Sequence, residues 1–193
     1  MIKKSMLLIM LLLCIVPRAD ACVGKTLNIG VRDSVEDRLL AEMLSTLVQE
    51  RTGTTIHIKY FKEDQDIYEA VKVKEVDISI ENTTRAMRLL NQPADDDVQM
   101  AYELVKTSYE KEKGLIWLKP FGFLNGNGPG GPSYTATVLR VEVLSNYPAL
   151  PRLFNKLGSA INDEAYTKLI DSVRSGREPS DVARDFLKGQ KLI

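Results

Sequence analysis

The sequence predicts an α/β lobe, a mixed and mostly parallel sheet with helices on both faces. Three observations point there. Short β-branched runs recur along the chain, amphipathic helical stretches separate them, and three helical stretches close it. Parallel neighbours need crossover connections, and crossover helices cover both faces of the sheet. At 193 residues, 44% apolar and 27% charged, the chain is long enough and ordinary enough in composition to bury one sizeable core.

The fold begins after a leader. Lys3 and Lys4 form a basic start, residues 6–16 are unbroken apolar sequence, and Ala19-Asp20-Ala21 supplies a small-residue cleavage site. The apolar run is too short to span a bilayer, so residues 1–21 read as a signal peptide and the chain as periplasmic or otherwise extracytoplasmic. Cleavage after Ala21 is the favoured route. Lipidation of Cys22, giving a membrane-anchored lipoprotein, is the alternative. Loss of Lys3, Lys4, Arg18 and Asp20 turns 26 basic and 26 acidic residues into 23 and 25. That near-neutral balance gives no field for nucleic acid or an anionic membrane surface. Cys22 is then the one cysteine left, so the core must hold without an internal disulfide.

From residue 22 to 193 the elements follow in order. "TLNIGV" (26–31) reads as a buried strand. In "SVEDRLLAEMLSTLVQERTG" (34–53), Val35, Leu39, Leu40, Met43, Leu44, Leu47 and Val48 recur at helical spacing, Ser34 is placed to cap the start, and Gly53 to end it. "TIHIKYF" (55–61) alternates as a half-buried strand, with His57 on the solvated side. A short helix (64–75) and a strand "VDISI" (76–80) follow. A long helix runs from Asp97 to Lys113, and "GLIWLKPF" (114–121) is a strand. After the loop, "YTATVLR" (134–140) alternates again. Three helices close the chain: one from Pro148 to Gly158, one capped by Asn162 and ended at Gly176, and one capped by Ser180 and ended at Gly189.

The chemistry is sparse. One histidine, no G-x-S-x-G, no Cys/His pair and no glycine-rich phosphate loop before a helix exclude the common catalytic and metal-binding patterns, so the chain reads as no enzyme, with no cofactor and no metal. Open α/β sheets bind ligands at the carboxyl ends of their strands. The candidates there are Arg32, Asp33 and Ser34, then Glu81, Asn82 and Thr83, then residues 121–125. Each also has a plain role: Ser34 as a helix cap, 81–83 as a turn.

Four stretches together resemble the substrate-binding proteins of osmoprotectant ABC transporters, which take glycine betaine, choline or carnitine. "LNIGVRDSVEDRLLAEMLSTLVQERTG" resembles their beginning. "EVDISIENTTRAM" is similar to their G-x-I-D-x-Y-P-E-Y-T-G-T segment, and "IWLKPFGFLN" to W-L-x-P-x-G-F-N-N-T-Y. The sequence from Pro132 to Lys188 resembles their C-terminal tail. The resemblance implies a three-layer lobe of the type II periplasmic-binding-protein fold and an uptake role beside an ABC permease. It implies a ligand site drawn from Ser34, Glu36, Asp37, Glu81, Asn82, Thr83, Phe123, Asn125 and Tyr134. Those proteins have two lobes. Here residues 125–132, "NGNGPGGP", stand where the second lobe should open, so the resemblance implies a single lobe closed by a Gly/Pro turn. Asn82 and Asn127 replace family tyrosines and Asp37 replaces a glutamine, while Glu81 and Thr83 match and Tyr134 keeps its aromatic character. A cage for a quaternary amine needs ring faces, so weak binding of a quaternary-amine or amino-acid ligand is expected. Two roles follow: an uptake component, with a homodimer supplying the facing wall, or a module that binds an envelope protein or itself through the former cleft face, with Phe121, Phe123, Leu124 and Tyr134 as an apolar patch.

Overall fold

Strand β1 (Thr26–Arg32) sits inside the sheet because both of its faces are apolar: Leu27, Ile29 and Val31 are buried on one side. On the other, Gly30 leaves no room for a side chain, since a Cβ there would meet Val76 Cγ2 at 2.7 Å. The computed structural model describes residues 26–93, 97–126 and 131–193. The leader, Cys22 and Asn127 lie outside the described residues.

Helix α1 (Val35–Thr52) follows β1. Its start is the capped one read from the sequence: Ser34 Oγ accepts a hydrogen bond from the Asp37 amide at 3.1 Å. Its end is Gly53, at φ 68°, a left-handed position that glycine occupies without strain. Leu39, Leu40, Met43, Leu44, Leu47 and Val48 are buried, each contributing roughly 1.5–3 kcal/mol of transfer free energy. Strand β2 (Thr55–Phe61) pairs parallel to β1 at the sheet edge, leaving His57 exposed. Helix α2 (Asp64–Lys72) returns the chain to β3 (Ile78–Asn82), which pairs parallel to β1.

Two short helices were not expected. The chain after β3 is not a turn but α3 (Thr83–Leu89), capped by Asn82 Oδ1 accepting from the Arg85 amide at 2.8 Å. Its seven residues are too short to display a helical stripe. Helix α4 (Val98–Lys113) leads into β4 (Leu115–Asn125). β4 runs past the expected end at 121. Pro120 lacks an N–H, so the pairing slips there by irregularities and then resumes to Asn125. β5 (Ser133–Arg140) returns antiparallel between β3 and β4, giving a five-stranded sheet in the order β2-β1-β3-β5-β4 in which only β5 runs against the rest.

The second addition is α5 (Val141–Asn146), ahead of α6 (Leu150–Ala160), α7 (Asp163–Arg174) and α8 (Pro179–Gly189). Asn162 caps α7 as expected, its Oδ1 accepting a hydrogen bond from the Ala165 amide at 2.8 Å. Ser180 does not cap α8: Glu178 stands at that place and Pro179 opens the helix. Gly158 does not end α6. It lies within it, packed against the Pro120 and Phe121 backbone. One core joins α1 and α6–α8 to one face of the sheet; a second, around Trp117, Tyr102 and Tyr109, joins α2, α3 and α4 to the other. This is the three-layer α/β lobe.

Candidate functional site

The carboxyl ends of β1, β3 and β4 and the start of β5 share one edge of the sheet, and an open cleft of about 600 Å³ lies across it. Its floor is built around a residue that the sequence reading passed over, Arg85. Burial works against the charge of its guanidinium, but Glu81, Asp37 and Asp64 outweigh that and hold its pKa above the ordinary arginine value. Nε donates to Glu81 Oε1 at 2.6 Å, Nη1 to Asp37 Oδ2 at 3.0 Å and Nη2 to the Ile80 carbonyl at 2.9 Å. One side chain thereby ties α1, β3 and α3 together beneath the cleft. Burial pushes the carboxyls of Asp37 and Glu81 up, and the Arg85 charge pulls against it.

Around this floor the rim is polar. Arg174 pairs with Glu36 at 2.7 Å, Arg32 with Asp64 at 3.5 Å, and Arg88 stands 4.0 Å from Asp64 and largely in solvent. Asn125 donates to Thr135 Oγ1 at 2.9 Å, which fixes its amide at the far wall. Of the nine residues expected at a ligand site, the cleft brings together Ser34, Glu36, Asp37, Asn82 and Asn125. Ser34 spends its oxygen on the α1 cap.

The other four stand elsewhere. Glu81 lies behind Arg85, its Oε1 also accepting from the Asn82 amide. Thr83 is buried in the first turn of α3. Phe123 is core: its ring stacks on Tyr166 with centroids 3.6 Å apart. Tyr134 points to the opposite face and meets Tyr102 edge-on at 6.0 Å. The expected apolar patch therefore reduces to Leu124, since Phe121 and Phe123 are interior. Alternation explains this. β4 turns Phe121 and Phe123 inward toward α6 and α7, and Leu124 outward.

No aromatic ring is among the described residues that line the cleft. Among the described residues, no group of three His, Cys, Asp or Glu is placed to hold a metal ion, and no helix is long and apolar enough to cross a membrane. The Glu81–Arg85 pair spans the junction of β3 with α3, so the i, i+4 spacing that signals an ion pair within one helix does not apply to it. Arg85 was passed over because the helix that carries it was not expected.

Comparison with known proteins places the arrangement. Residues 25–137 match the family model described as the substrate binding domain of an ABC-type glycine betaine transport system. No curated protein sequence matches the chain. Among solved structures, a glycine betaine/carnitine/choline ABC transporter protein superposes with a TM-score of 0.79 at 14% identity, over 87% of this chain and 98% of that one. Apo YehZ from Escherichia coli gives 0.79 at 15% identity, over 87% and 99%. Lactococcal OpuAC, closed and complexed with glycine betaine, gives 0.58 at 8% identity, over 86% and 96%. At such identities these likenesses establish the fold.

Proposed function

The chain belongs to the family of substrate-binding domains of ABC-type glycine betaine transport systems, and from that premise we propose that it is an extracytoplasmic solute-binding component of a quaternary-amine uptake system. It is a binding protein and not an enzyme. The observation that carries the reading is the cleft at the strand ends, where Asp37, Asn82 and Asn125 converge over the Arg85 floor. Ligands of open α/β sheets bind at this edge.

The ligand is held mainly by charge and hydrogen bonds. Arg32 and Arg88 are available to a carboxylate, while Arg174 and Glu36, paired with each other at 2.7 Å, form the rim beside it. Without ring faces, a trimethylammonium group gains little here, and a single open wall leaves one side of the ligand in water. Affinity is therefore weak unless a second surface closes the cleft, from a second copy or an ABC permease. The segment 125–132 stands in this reading where the family's second lobe would begin. The second role, a module that binds an envelope protein or itself through the cleft face, is favoured by the same lack of ring-lined walls.

The test is isothermal titration of residues 22–193 against glycine betaine, choline, carnitine and proline, with the mass in solution measured alongside. Micromolar binding by a dimer supports the uptake role. No heat from any of the four, with a defined monomer or dimer, sinks it and leaves the protein-binding role.

A further inference from the structure

We propose that the opposite edge of the sheet carries a second binding site, one for a phosphate group. It is independent of the cleft. A groove of about 450 Å³ lies between the end of α2, the end of α4 and the β5–α5 junction. Three ammonium groups, Lys72, Lys74 and Lys113, line it, and Glu142 is the one carboxylate among the lining residues.

The geometry of these lysines is specific. Lys72 and Lys113 come from two different helices and bracket one ring: their Nζ atoms stand 5.7 and 4.8 Å from the Tyr68 ring centre. Lysines in the last turn of a helix offset its terminal carbonyls, which explains why they are there. It does not explain why both fold over the same tyrosine. Lys74 is held at φ 63°, a left-handed conformation that a side chain of this kind rarely adopts, and it reaches Glu142 at 3.2 Å. Lys72 is held by Glu69 at 3.0 Å. Both pairs are solvent-exposed, and such pairs contribute little, so an incoming anion displaces them readily. Among the described residues Lys113 has no carboxylate partner.

The charge carriers select the anion. Lysine is a compact point charge with three donors, suited to a multiply charged tetrahedral group, whereas a planar carboxylate is matched by the arginine fork. The arginine present, Arg140, already has two carboxylate partners, Nη2 on Asp77 and Nη1 3.7 Å from Glu142. Apolar Val141, exposed beside the groove, and the Tyr68 ring offer a resting place for the carbon skeleton of a phosphate ester. The phosphate can come from a soluble compound or from a lipid headgroup.

Residues 22–193 should be titrated with sodium pyrophosphate by calorimetry and amide NMR. In parallel they should be sedimented with phosphatidylcholine vesicles, with and without phosphatidylglycerol. The double variant Lys74→Gln, Lys113→Gln alters two surface side chains, and its circular dichroism checks its fold. The expected result is binding that falls with added salt, shifts amides around Tyr68, Lys72 and Lys113, and weakens by at least about tenfold in the variant, as loss of charge-assisted contacts requires. Pyrophosphate binding assigns a soluble source; binding only to anionic vesicles assigns a headgroup. Binding to neither, equal affinity in the variant, or shifts confined to the cleft overturns the proposal.

Discussion

Arg85 holds three elements at once, and its surroundings say what its loss costs. Two carboxylates and a carbonyl accept its hydrogen bonds in a buried setting. In Arg85→Met the carboxylates stay buried without their hydrogen-bonded counter-charge, so stability at pH 7 should fall by about 3–5 kcal/mol, read by urea unfolding. The pH dependence has a definite sign. Burial already lifts Asp37 and Glu81 above their ordinary values of 3.8 and 4.5, and without the guanidinium only the more distant Arg32 charge and the Asn82 amide pull against it. Their protonated forms then suit the fold, so the variant's deficit should be small below about pH 4 and grow as pH rises through the elevated folded pKa values. A deficit that does not change with pH would mean that the network carries no charge cost. Legibility at this scale was uneven. Asn82 was picked out from the sequence because it follows a strand and Asp37 because of the family resemblance, but whether a side chain faces the cleft or the core depends on strand alternation and helix phase. That is why Phe123 and Tyr134 were misplaced.

The junction of β4 with α6 and α7 depends on close backbone approach. A Cβ on Gly122 would stand 2.4 Å from the Ile161 carbonyl oxygen, and backbone cannot move aside as a flexible side chain can. Gly122→Ala should therefore destabilise by roughly 1–3 kcal/mol, whereas Gly126→Ala, with nothing within 4 Å of the added carbon, should change stability by no more than about 0.5 kcal/mol. Equal effects in thermal melts would remove the close-approach argument. Elements were legible where one periodic signal ran long enough. α1 was read with its cap and its stop because eighteen residues repeat one stripe. α3 and α5, of seven and six residues, carry no such repeat, and tertiary packing decides them.

At the scale of the whole molecule, the described residues form one sheet with two cores, and among them there is no second sheet to close against it about a hinge. Small-angle scattering of residues 22–193 should accordingly give the same radius of gyration with and without 10 mM (an order-of-magnitude excess over weak binding) glycine betaine. A contraction on adding ligand would mean that a second body closes over the cleft. The sequence by itself determined the α/β class, the order of the strands along the chain, the long helix α1 and the family resemblance, because hydrophobic period and turn chemistry act over neighbouring residues. Only the tertiary structure decided that β5 inserts antiparallel between β3 and β4, that Arg85 floors the cleft, and that the aromatic residues near residue 123 belong to the core. Those outcomes depend on contacts between residues far apart in the chain, such as Asp37 with Arg85 and Phe123 with Tyr166, which no local pattern records.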